Sequence, residues 1–122
     1  MLTGRFVSLA AGVAVVAVAC ATQASAHAAL VRSSPGPDAI VAAPRAISLT
    51  FNERLAPAFS GFVLATNGGV AMKVRTTLSP DRKSVIGVPA APLKPGAYKL
   101  SWRAVASDDG HLTKGGLGFR VK

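Results

Sequence analysis

The sequence predicts an all-β domain, a Greek-key sandwich or barrel of about seven strands, and three observations carry that expectation. Apolar and polar residues alternate with a period of two through most of the chain beyond residue 26. Turn-forming residues interrupt the alternation at short intervals, which is the spacing of a two-layered β fold. No stretch sustains a 3.6-residue period.

Taken in order, the first candidate strand is Ala28–Arg32, closed by the turn Pro35-Gly36-Pro37. Ile47, Leu49 and Phe51 then alternate with Ser48, Thr50 and Asn52, giving a strand one buried and one wet face. Leu55 to Ser60 suits a short helical turn. Gly61–Thr66 and Val70–Arg75 are further strand candidates, separated by Asn67-Gly68-Gly69, and Ser84–Val88 follows the turn Ser79-Pro80-Asp81. After the proline-rich run Pro89 to Pro92 and the turn Pro95-Gly96, two strong alternations close the chain. In one, Tyr98, Leu100, Trp102 and Ala104 alternate with Lys99, Ser101 and Arg103. In the other, Leu117, Phe119 and Val121 alternate with Gly118, Arg120 and Lys122. Trp102 is expected to fill the space between the sheets, and Met72 to pack in the core.

The first 26 residues have the three-part layout of a secretory signal. Arg5 supplies the positive charge, Phe6 to Ala21 is almost unbroken in apolarity, and Ala24 and Ala26 place small residues at −3 and −1 of a cleavage site. The apolar run is shorter than the roughly 20 residues a spanning helix needs. The expectation is therefore a cleaved signal over 1–26 and one exported domain over 27–122. A competing reading is lipoprotein processing at Cys20, since Ala17-Val18-Ala19-Cys20 faintly resembles a lipobox. Its −3 position is Ala where Leu is usual.

The 96 residues from His27 to Lys122 suffice for one domain and contain no cysteine. Disulfides and thiolate ligands are thereby excluded, and the apolar core must hold the fold by itself. This part carries 13 Lys and Arg against 5 Asp and Glu. Its cations are scattered, never more than two adjacent, with no aromatic interleaving. Nucleic acid is therefore not an expected partner, and a solvated basic surface is.

The chain's two histidines carry the candidate chemistry. Cleavage after Ala26 makes His27 the first residue, whose free amine and ring nitrogen can chelate one metal ion. Asp109-Gly110-His111 can turn a carboxylate and an imidazole to one side, Gly110 permitting the bend. Three nitrogens and one oxygen suit tetragonal Cu(II) better than any oxygen-preferring cation, with zinc chemically open. Taken alone, Asp-Gly is also a common hairpin turn, and His111 a common kind of surface residue.

Three segments resemble the CopC family of periplasmic copper-resistance proteins: HAALVRSSP from His27, ISLTFNERLAPAFSGFVL from Ile47, and LKPGAYKLSWRAVASDDGHLTKGGLGFRV from Leu93. The resemblance implies a cupredoxin-like or immunoglobulin-like sandwich that binds one Cu(II) per mature chain. It matches His27, Asp109 and His111 to the metal ligands and Glu53 to an acidic residue near them. It also implies a periplasmic location and a membrane copper-import protein as partner. A Met-rich Cu(I) site of the kind some members carry is not expected, because Met72 is the one methionine after the signal. The rival from another class is a copper-dependent oxidative enzyme with a histidine brace. A hydrolase is poorly supported, since no Ser-His-Asp or two-carboxylate set is evident.

Overall fold

The computed structural model describes residues 27–122, where nine strands form two sheets. They are β1 (Leu30–Ser34), β2 (Ile40–Val41), β3 (Ile47–Phe51), β4 (Gly61–Thr66), β5 (Ala71–Met72), β6 (Val74–Leu78), β7 (Ser84–Pro89), β8 (Gly96–Val105) and β9 (Leu112–Val121). A single 3-10 turn, Pro57–Phe59, lies between β3 and β4 and meets the short helical expectation. One sheet runs β1-β3-β7-β6, the other β2-β9-β8-β4-β5. All pairings are antiparallel except β2 with β9. The all-β two-sheet fold is the one expected, with nine strands in place of about seven.

The strong alternations become the central strands. Ile47, Leu49 and Phe51 of β3 join Phe62, Leu64, Leu100, Leu117 and Phe119 of the other sheet in one buried cluster, and no polar or charged residue is buried among the described residues. Burying this apolar surface drives folding at about 25 cal/mol per Å². Tyr98 stacks on Phe119 with ring centroids 5.6 Å apart, and its hydroxyl donates to the Lys94 carbonyl at 2.7 Å. Trp102 meets Phe51 edge-on at 5.1 Å, bridging the two sheets as expected, although it is half-buried rather than enclosed. Met72 is half-buried against the core.

Three differences from the expected strands have physical causes. Val70–Arg75 is not one strand: β5 pairs with β4 in one sheet and β6 with β7 in the other, the chain crossing at Lys73. Met72 and Val74 both pack against the core, so the alternation continues unbroken through the corner. The second difference is the first half of β9, where Thr113, Lys114, Gly115 and Gly116 carry no apolar alternation. Pairing with β8 imposes the strand, and the bare Gly115 lies opposite Trp102, whose indole occupies the space a side chain would need. Third, β2 is only two residues, too short for a period, and the first strand sits two residues later than expected, with Ala28 buried ahead of it.

Gly87 offers a test of this packing. It lies in β7 between β3 and β6, and a Cβ there would run into the Phe62 ring and come within 2.8 Å of Val74 Cγ1. Gly87→Ala is expected to cost about 1–3 kcal/mol by overpacking. Gly36→Ala, which would meet nothing within 4 Å, should leave the thermal melt nearly unchanged. Equal melting of the two variants would show that the interior yields at Gly87.

Candidate metal centre

The β8–β9 hairpin ends in a loop, Ala106 to His111, that its own backbone closes. Gly110 N–H donates to the Ala106 carbonyl at 2.9 Å and Ala106 N–H to that of His111 at 3.2 Å. Gly110 has a φ of 72°, the left-handed conformation that glycine adopts without steric cost, so the predicted bend is present. Outside contacts pin the loop: Ser107 N–H donates to the Arg54 carbonyl at 2.9 Å, and Leu55 bridges to Ala106. Asp109-Gly110 is thus both a hairpin element and part of a side-chain cluster.

The segment after His27 is brought to this loop by two side chains. Thr113 Oγ1 donates to the Ala28 carbonyl at 2.7 Å, with a longer contact of 3.3 Å to that of Ala104. Asn52 accepts from Ala29 N–H on Oδ1 at 2.8 Å, and Asn52 N–H donates to the Ala29 carbonyl at 3.0 Å. With Ala28 buried and Ala29 held on both backbone groups, the exposed His27 has a fixed root. Thr113 and Asn52 escape a reading of the sequence because their partners lie 85 and 23 residues away, and neither position belongs to a local motif.

His27 and His111 stack face to face, centroids 4.6 Å apart and planes 19° from parallel. Asp109 receives His111 twice: Oδ1 accepts the backbone N–H at 3.0 Å, and Oδ2 lies 2.9 Å from Nδ1. The backbone hydrogen bond holds the Asp109 carboxyl below its usual range, partial burial opposes this, and the His111 imidazole adds a smaller lowering. A carboxylate on Nδ1 fixes the ring's orientation and leaves Nε2 free for a metal. The side chains are open to solvent, His111 at 61% and Asp109 at 26% exposure.

The structure places His27 against His111 and His111 against Asp109. They do not form a closed cage: among the described residues no three His, Cys, Asp or Glu side chains converge at metal-binding spacing. Nearly parallel rings point their in-plane lone pairs alongside one another, so a shared metal requires one imidazole to swing. Glu53 is half-buried beside Asn52, and forms no hydrogen bond or ion pair with the other three. The expected cleavage after Ala26, and Cys20, lie outside the described residues.

A family model described as the CopC domain matches residues 30–122. The chain belongs to the CopC domain family. Copper resistance protein C of Xanthomonas campestris pv. juglandis is 41% identical, covering 96% of this chain and 98% of its own length. That of Pseudomonas syringae pv. tomato is 39% identical with both chains covered in full. Among solved structures, PcoC, a methionine rich copper resistance protein from Escherichia coli, superposes with a TM-score of 0.71 at 37% identity. That alignment covers 79% of this chain and 99% of PcoC. This CopC-family chain has two methionines, Met1 and Met72.

Proposed function

We propose that this chain is exported to the periplasm, loses residues 1–26, and binds copper there to buffer or deliver it, with a membrane copper-import protein as its partner. One Cu(II) is held by the amine and ring of His27 together with Asp109 and His111. The observation that carries this reading is the stack of the chain's two histidines, 84 residues apart in sequence, with a carboxylate on one of them. Imidazole, amine and carboxylate donors match Cu(II). Glu53 would act from the margin of the site. The resemblance to copper resistance proteins over almost the full chain supports the same assignment.

The reading is tested by titration of the processed protein, whose mass should start at His27. One equivalent of Cu(II) should bind. His111→Ala should weaken binding by more than tenfold, and Asp109→Ala by less, since imidazole is the better donor to copper and water can replace a carboxylate. Both variants should fold, because the Asp109 and His111 side chains lie at the surface, outside the core. Unchanged affinity in His111→Ala would reduce the loop to a turn. The oxidative-enzyme alternative predicts oxidative cleavage of a glycan in the presence of ascorbate and oxygen, whereas a copper carrier leaves the glycan intact.

Acid should release the metal, because copper must displace protons from the ligand nitrogens. The backbone hydrogen bond from His111 holds the Asp109 carboxyl below its usual range, so this carboxylate stays ionised as the pH falls and is not the ligand that acid removes first. Affinity should therefore fall steeply below about pH 6 through the nitrogens rather than through Asp109. For folding the sign is that of a depressed carboxylate: the stabilisation is present above the ordinary Asp value of about 3.9 and is lost as pH drops through the lowered one. Copper affinity that stays level down to pH 5 would contradict nitrogen ligation.

A further inference from the structure

We propose that the outer face of the five-stranded sheet docks on an anionic phospholipid bilayer. Alternation turns Tyr98, Leu100, Leu117 and Phe119 inward and leaves Lys99, Arg103, Lys114 and Arg120 exposed on the other side of β8 and β9. Register completes the gathering: Arg103 lies directly opposite Lys114, Lys99 opposite Gly118, and Arg120 opposite Ala97. Cations scattered along the sequence thus share one face of two adjacent strands. None of the four makes an ion pair among the described residues. Asp38 borders the face, lining a hollow with Arg120 at the β2 edge.

On the outer face of the other sheet the cations are Arg32 and Arg75, held apart on the edge strands β1 and β6; its central strands turn Ser48, Thr50, Ser84, Ile86 and Val88 outward, with no charge among them. Like charges directly opposite on neighbouring strands are destabilising, so the Arg103–Lys114 pair invites an anion from outside the fold.

The surroundings of that pair favour lipid over an acidic protein. A hollow of about 440 Å³ brings Arg103, Lys114 and Ser101 together with Phe59 and Val63, which are 60% and 69% exposed. Cations beside exposed apolar side chains match the boundary between phosphate headgroups and acyl chains. The remaining cations are spread over a flat face instead of converging, as suits a diffuse sheet of negative charge. None of these residues belongs to the proposed copper site.

The test is co-sedimentation of the processed protein with phosphatidylcholine vesicles, with and without phosphatidylglycerol. Binding is expected only to the anionic vesicles and should fade at about 0.5 M salt, where charges are screened within a few ångströms. Replacing Lys99, Arg103, Lys114 and Arg120 together by Gln should weaken it at least tenfold, on the scale of about fivefold per cation near a membrane surface. The charge-matched set Arg32→Gln, Arg45→Gln, Arg75→Gln and Lys83→Gln should weaken it much less. The smaller variant Arg103→Gln/Lys114→Gln should also bind less, without melting lower than the parent, and Phe59→Ser/Val63→Ser should weaken vesicle binding at unchanged charge. Equal losses in the two four-site variants would reduce the effect to net charge and overturn the proposal. So would absence of binding to anionic vesicles, or capture of soluble polyglutamate in preference to them, which would make the occupant an acidic protein.

Discussion

One alanine added ahead of His27 in the processed protein is expected to lower Cu(II) affinity by at least about 100-fold, the upper end of what losing a ligand's supporting partner alone costs. The extension leaves the imidazole in place. It converts the amine into a peptide nitrogen, which gives up its proton far less readily than a terminal amine with a pKa near 7.7–8.0. The fold should be untouched, because the anchors of this segment, Thr113 on Ala28 and Asn52 on Ala29, lie beyond the altered bond. Equal affinity in the two forms would mean that His27 acts only through its ring or not at all, and would bring processing at Cys20 forward again.

Phe51→Ala should produce the largest loss of stability. Phe51 is 1% exposed, among the largest fully buried side chains, and its ring receives Trp102 from the opposite sheet. Truncating a buried phenylalanine costs about 3–5 kcal/mol, a large part of the 5–15 kcal/mol that holds a typical domain together. For a domain of this size that is a drop of about 15–30 °C in Tm. No disulfide can compensate, since the chain's single cysteine is Cys20. Calorimetry of the metal-free variant against the parent measures the loss, and a drop under about 4 °C, equivalent to roughly 1 kcal/mol, would show that Trp102 collapses into the space.

The strands that the sequence announced most strongly are those whose alternation has one dry face: β3, most of β8 and the end of β9; the weaker candidates Gly61–Thr66 and Ser84–Val88 also form, as β4 and β7. Where one face is glycine or polar, as over Thr113 to Gly116, strand formation comes from the hairpin partner and leaves no periodic mark. The corner at Lys73 stayed hidden because Met72 and Val74 keep the same phase on both sides of it. At the candidate site the histidines stood out by their rarity and by the expected cleavage, and the loop by its Asp-Gly-His spacing. Asn52 and Thr113 did not, because a clamp between segments 23 and 85 residues apart is a property of topology. The gathered cations of β8 and β9 were likewise present in the alternation but read as scattered, since register decides which of them become neighbours.

Electron paramagnetic resonance of the processed protein with one equivalent of Cu(II) tests the proposed copper site most directly. A tetragonal signal coupled to three nitrogens, falling to two in His111→Ala and to two when an alanine precedes His27, is the predicted result. A signal unchanged by both alterations, or a second equivalent bound as tightly as the first, would contradict a single site built from His27, Asp109 and His111.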